Sequence, residues 1–428
     1  MKYKSIFIIF LFFYSFSLLA QINKNEITIG KRLSIQSKIL NEVRFYDVYL
    51  PPSYGTSNKI HYPVIYLIDG DYNFHYITGL IEQLSSISEK IPEMIVVGIA
   101  DNGQANYINN CTPFNKKNNP NGQSEKFLDF ITTELQPHIN KNYKTAKYDI
   151  LIGQSLGGLF TINVLLSRPK SFNAYIAISP SLWWDDYKTE NKIKSFFEKN
   201  DNLNTSLYLS LGNEKGMGVF GFQNQLDINT FADEFYKNKP LGLNYTFKQY
   251  PNENHNSVGL ITVSDALKLF FKNYDLPHNI LDRFKTFKEY EKAVEPFSEM
   301  IGKGFRLPNR QLNYIINFFY NKNIVELKKI EKTIKEKYPA SLGDYFNNLG
   351  NIYVKKGKIK KGIIILKMNK KSNPNSPEYL TSLADAYFKN KEFNKAKINY
   401  QDALDLAKKQ HSRQWYINQL KYNSLKIK

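Results

Sequence analysis

A chain of 428 residues is long for a single hydrophobic core, so two domains are the starting expectation. With one cysteine, Cys111, it can form no intramolecular disulfide, and without a second thiol or a His pair at ligand spacing it offers no structural zinc site. The net charge of +19 is uneven, with 31 basic and 14 acidic residues from Leu281 onward, but no nucleic-acid motif accompanies it, so it reads as solvated helical surface.

The chain opens MKYKSIFIIFLFFYSFSLLAQ: two lysines, an apolar run from Ile6 to Phe13, and a short stretch ending at Ala20. This is the layout of a secretory signal peptide over residues 1–20, and a periplasmic or secreted mature protein is expected. The run is interrupted by Ser15 and Ser17 and falls short of a spanning length of about 20 residues, so no stable membrane span is expected after cleavage. Strand-like runs follow at Arg44–Leu50, Val64–Ile68, Met94–Ile99, Tyr148–Ile152, Ala174–Ile178, Leu207–Leu211 and Tyr245–Tyr250. Helical patterns lie between most of them, at Glu125–Ile139, Phe160–Leu166 and Asn191–Glu198, and one follows at Val258–Asn273. Alternation of this kind predicts a mostly parallel sheet, while the earliest strands, with no helix between them, predict an antiparallel start.

After Leu276-Pro277 the pattern is helical throughout. Leu349, Gly350, Tyr353, Gly362 and Leu366 recur 34 residues later as Leu383, Ala384, Tyr387, Ala396 and Tyr400. Small residues let paired helices approach, and bulky ones fill the space between pairs; the period resembles the tetratricopeptide repeat. The expected division is therefore 1–20 signal peptide, 21–276 α/β domain and 277–428 helical-repeat domain. Such repeats imply a protein partner or self-association.

The chemistry centres on YDILIGQSLGGLF. An apolar strand stops at Gly153-Gln154-Ser155-Leu156-Gly157 and a helix pattern follows. A serine nucleophile needs its hydroxyl exposed on a tight strand-to-helix corner, and such a corner tolerates only small residues two positions either side. The base must come later in the chain. Of six histidines only His255, in YPNENHNSVG, lies in a loop after a strand and before the last helix of the sheet domain. For the acid, Glu214 follows the strand ending at Leu211, with Asp185 and Asp186 as competitors and Asp227 further on in a helical pattern. Backbone N–H groups of Leu156 and Asp71, the latter in LIDGDYNF, are the expected oxyanion donors. Trp183 and Trp184 either wall a substrate pocket or plug a gap beside the sheet.

YPVIYLIDGDYNF, GQSLGGLFTINVLL, ISPSLWWDD and YPNENHNSV together resemble the esterase family of α/β-hydrolases that includes esterase D-like enzymes, feruloyl esterases and mycolyltransferases. SPSLWW is most similar to the family's trilactone siderophore esterases. The resemblance covers roughly residues 26–274. It implies an α/β-hydrolase fold, a triad of Ser155, Glu214 and His255, and Asp71 and Leu156 as oxyanion donors. The family often carries an arginine before a Thr-Pro pair, which NYINNCTPF lacks, and this departure bears on siderophore specificity. The combined expectation is an exported serine esterase acting on a small-molecule ester, with no metal or organic cofactor and no nucleic-acid partner. The alternatives are acyl transfer on the same triad, or a non-catalytic scaffold working through the repeats.

Overall fold

The computed structural model describes residues 27–116, 118–185 and 188–427. The stretch read as a signal peptide, and the competitor Asp186, lie outside those residues. Eight strands form one sheet: β1 Lys31–Ser37, β2 Glu42–Tyr49, β3 Tyr62–Ile68, β4 Ile95–Ile99, β5 Thr145–Gln154, β6 Ala174–Ile178, β7 Asn202–Asn213 and β8 Leu241–Asn254. Their order is β1-β2-β4-β3-β5-β6-β7-β8. β2 pairs antiparallel with β1 and with β4, and the remaining pairs are parallel. The helices threading them are α1 Gly70–Glu82, α2 Gln104–Cys111, α3 Ser124–Asp129, α4 Gln136–Asn142, α5 Leu156–Ser167, α6 Lys188–Lys199, α7 Gly218–Asn238 and α8 Val258–Phe270.

β3, β4 and β6 are buried at every position because both faces of the sheet are covered. In β3, Ile65 and Leu67 enter one core while Val64, Tyr66 and Ile68 enter the other. Three elements went unread in the sequence. α1, GDYNFHYITGLIE, is poor in helix formers and is held by burying Ile77 and Ile81. α2 is short and polar, and β1 is a largely exposed edge strand paired only with β2. The helix read over Glu125–Ile139 is helical from Ser124 to Asn142, with a π turn at Phe130–Leu135. That turn loosens the backbone just before Pro137, which has no N–H to donate.

Beyond residue 277 the elements are all helices: α9 His278–Leu281, α10 Phe287–Ile301, α11 Asn309–Lys322, α12 Ile324–Lys337, α13 Leu342–Lys355, α14 Ile359–Ser372, α15 Pro377–Lys389, α16 Phe393–Lys409 and α17 Gln414–Leu425. A continuous core runs from one face of the sheet, through Ile150, Ile176 and Phe271, into α10–α13 through Phe297, Ile316, Ile330 and Tyr353. The ring of Phe297 lies 5.4 Å from Tyr274 and 6.4 Å from Phe271. Polar contacts reinforce the junction. Gln311 donates to the Tyr274 carbonyl at 2.8 Å, and the Arg310 N–H donates to Glu89 at 3.0 Å. The 34-residue spacing has a packing consequence: a side chain at Gly350 would meet Leu366 of the adjacent helix at 2.6 Å, and Ala384 and Ala396 are fully buried. Among the described residues no helix is long and apolar enough to cross a membrane.

Candidate active site

Register places the site. β3 and β5 pair in parallel with Leu67 opposite Ile152, so the turns that follow them lie level at the carboxyl ends of neighbouring strands. The chain leaves β3 toward β4 on one side and meets β5 on the other, which is where open α/β sheets form a crevice. At the far side, β7 and β8 pair Asn213 with Asn254. Glu214 and His255 are the next residues of each strand. Two groups 41 positions apart in sequence are thereby brought together: His255 Nδ1 and Glu214 Oε2 are 2.8 Å apart. The Glu214 side chain is fully buried, and His255 keeps 14% of its side-chain surface.

Ser155 occupies the corner between β5 and α5 with φ 56° and ψ −118°, a region that side chains with a Cβ rarely adopt. The corner is clamped on both sides. Tyr107 Oη accepts from the Gly157 N–H at 3.1 Å and donates to the Gln154 carbonyl at 3.4 Å. The Ser155 N–H donates to the Ile178 carbonyl at 3.0 Å. Gln154 Nε2 reaches across to the His255 carbonyl at 2.5 Å, tying the histidine loop to the residue just before the nucleophile candidate. The Ser155 hydroxyl itself pairs with Ser181 Oγ at 3.1 Å rather than with the imidazole.

Leu156 is the first residue of α5 and Asp71 the second of α1, and N–H groups in a first helical turn have no intrahelical acceptor. Both helices start at the carboxyl ends of their strands, beside the crevice. Asp69, before the α1 turn, has φ 59°. Gly70 lets the helix start touch β4, because a Cβ there would lie 2.6 Å from the Gly98 carbonyl carbon. The Asp71 carboxylate anchors the turn, accepting from Arg32 at 2.7 Å and from the Asp101 N–H at 2.8 Å. Beneath it, burial raises the pKa of both Asp69 and Asp101, and their proximity pushes Asp101 higher still.

Trp183 and Trp184 are half-buried, 5.4 Å apart between ring centroids, and Trp183 lies 5.1 Å from the exposed Phe220 of α7. Among the described residues neither indole N–H has a partner. Of the competing acids, Asp227 accepts from Gln223 one turn away on α7. His138 is bonded to Tyr46, and His278 stacks on Tyr314 in the helical region. Sequence reasoning missed Tyr107, Gln154 and Ser181. SPSLWW drew notice as a segment, yet nothing in it announces that its second serine touches Ser155.

The chain is similar to known esterases. The family model described as "Putative esterase" matches residues 37–232. The ferri-bacillibactin esterase BesA of Bacillus subtilis is 28% identical over 260 residues, 56% of this chain and 88% of that protein. The siderophore triacetylfusarinine C esterase of Aspergillus fumigatus is 28% identical over 174 residues, 36% of this chain and 60% of that protein. An IroE-like serine hydrolase from Shewanella oneidensis superposes with a TM-score of 0.62 at 28% identity, covering 72% of this chain and 99% of its own. That share runs past the α/β part into the helices. With this sheet and these relatives, the α/β part of the chain is similar to the esterase family, and the protein is a hydrolase that acts on ester bonds.

Proposed function

We propose that the protein is an exported serine esterase whose nucleophile, base and acid are Ser155, His255 and Glu214, and whose substrates are esters of the siderophore type. One observation carries the reading: a serine held at positive φ on a strand–helix corner, tied through Gln154 to a histidine already paired with a buried glutamate. In this mechanism His255 Nε2 takes the Ser155 proton as Oγ attacks the ester carbonyl. Glu214 holds the Nδ1 proton and stabilises the imidazolium that forms. The Leu156 and Asp71 amides receive the oxyanion. His255 then protonates the leaving alcohol, and water releases the acyl group by the reverse roles.

The substrate class rests on relatives named for siderophore esters and on the aromatic group Trp183, Trp184 and Phe220 beside the serine segment. Export rests on the pattern of residues 1–20, and N-terminal sequencing of the exported protein would read from Gln21. We further take residues 277–428 as a tetratricopeptide-like unit for a protein partner or a second copy, which sedimentation and crosslinking would test. The deciding experiment compares the protein with Ser155→Ala on short and long p-nitrophenyl esters, a feruloyl ester and a ferric catecholate trilactone. Turnover of the trilactone that disappears in the variant is expected. Turnover that survives the substitution would overturn the nucleophile, and preference for another ester would overturn the substrate class.

A further inference from the structure

We infer that Ser181 is a second catalytic hydroxyl, one that donates to Ser155 Oγ while the nucleophile is being deprotonated. The inference rests on the reading of Ser155 as nucleophile and extends it to a residue with no assigned role.

Ser181 is only 2% exposed, and its Oγ lies 3.1 Å from Ser155 Oγ. Its backbone N–H donates to the Ser155 carbonyl at 3.0 Å, so the two residues are tied by main chain as well as side chain. The segment carrying it is fixed at both ends. On one side Ser179, at φ 37°, donates its N–H to the Ser210 carbonyl at 3.0 Å and accepts from the Gly212 N–H at 2.8 Å through its hydroxyl. On the other, the Leu182 N–H donates to Asn224 Oδ1 at 3.1 Å, and Asn224 is fully buried. Pro180 packs against Gly158 of α5, where an added Cβ would come within 3.0 Å of it. A hydroxyl held this firmly against a reactive atom has a defined direction.

That direction follows from proton counting. A serine hydroxyl has one proton and two lone pairs. Ser155 can use its proton only once, toward Ser181 or toward His255. If Ser181 accepted it, the nucleophile would point away from its base. The Ser181 proton, buried and with Ser155 Oγ as its hydrogen-bonded neighbour, has that oxygen as its acceptor, which frees the Ser155 proton for His255 Nε2.

During attack the Ser155 O–H bond breaks with its proton passing to His255. The Oγ–C bond forms, and the carbonyl π pair moves onto the oxyanion. Ser181 keeps its own proton throughout. Its bond to Oγ gains strength as negative charge builds there, because hydrogen bonds to charged acceptors are roughly twice as strong as neutral ones. A resting separation of 3.1 Å is long for O–H···O and leaves room to shorten at that moment.

The test measures the rate of inactivation by a fluorophosphonate, which reads Oγ nucleophilicity, beside kcat and KM on a p-nitrophenyl ester. Ser181→Ala is expected to react about 10- to 100-fold more slowly, the loss of one hydrogen bond made chiefly in the transition state, with KM nearly unchanged. Ser181→Thr keeps the hydroxyl and should recover most of the rate. Ser181→Cys keeps the volume with a poor donor and should stay slow even if the alanine variant does not fold. Wild-type rates in Ser181→Ala or Ser181→Cys, or an effect confined to KM, would overturn the inference. Equal labelling of Ser155→Ala, or none of the wild type, would instead refute the nucleophile itself and with it this role for Ser181.

Discussion

Two glycines on α1 separate packing from chemistry. Gly70 starts the helix against β4: a Cβ there would lie 2.6 Å from the Gly98 carbonyl carbon and 2.8 Å from Gly98 Cα and the Ile99 nitrogen, all backbone atoms of a central strand. Ordinary contact begins near 3.4 Å, so Gly70→Ala must push the helix start away by about 0.8 Å. Overpacking of this kind costs about 1–3 kcal/mol. Replacing a helical glycine by alanine returns about 0.5–1 kcal/mol, so the net loss of stability is about 0–2.5 kcal/mol. The displaced group is the Asp71 N–H, the next residue along. Losing one oxyanion donor costs on the order of 10²–10³ in kcat, and a 1 Å misplacement on the order of 10². Gly79, nine residues later on the same helix, is exposed with nothing within 4 Å of an added Cβ. Gly79→Ala should therefore gain about 0.5–1 kcal/mol and keep full activity. Thermal melts and ester kinetics on both variants decide the matter. Full kcat in Gly70→Ala, or an equal loss in Gly79→Ala, would refute the assignment of the Asp71 turn to the oxyanion.

Glu214→Gln places an amide opposite His255 Nδ1 and favours the tautomer with its proton on Nε2, which cannot accept from Ser155; kcat should fall on the order of 10³–10⁴ with the melt little changed, and a loss below tenfold would remove Glu214 from the mechanism. Among the described residues Asp149 has one carboxylate oxygen without a partner and the other 3.3 Å from Gln136 Nε2, and burial pushes its pKa up to about 7. A folded-state pKa above the unfolded one contributes stability at low pH that is lost as pH rises from about 4 through 7, here at most about 4 kcal/mol. Asp149→Asn should therefore raise the melting temperature at pH 8 more than at pH 5, and equal shifts at both would refute it. A chain ending at residue 276 would bare Phe271, Tyr274 and Leu276 together with the sheet face that α10–α13 cover. At about 1.5–3 kcal/mol per large apolar side chain it should aggregate or lose its cooperative melt, and a soluble, cooperatively folding fragment would show that the two parts are separable.

The relation between sequence and structure is clearest at the residues of the site. The serine corner was legible because its requirements are local: an apolar strand, glycines two residues either side, then a helix, all within about twenty positions. The repeat spacing was legible for the same reason, since a small residue every 34 positions is a constraint of adjacent helices. Fold class followed from alternation. The sequence could propose Glu214 and His255 only by order along the chain, and their pairing is a consequence of strand register, Asn213 opposite Asn254. Three features belong to the tertiary structure alone. The helices after residue 277 continue the core of the sheet instead of hanging from it, because one face of β5 and β6 has apolar side chains that α10 and its neighbours bury. α1 is helical against its own composition because Ile77 and Ile81 reach that core. Ser181 meets Ser155 across 26 positions because β5 and β6 are parallel neighbours whose turns end at the same level, a distance no local pattern encodes.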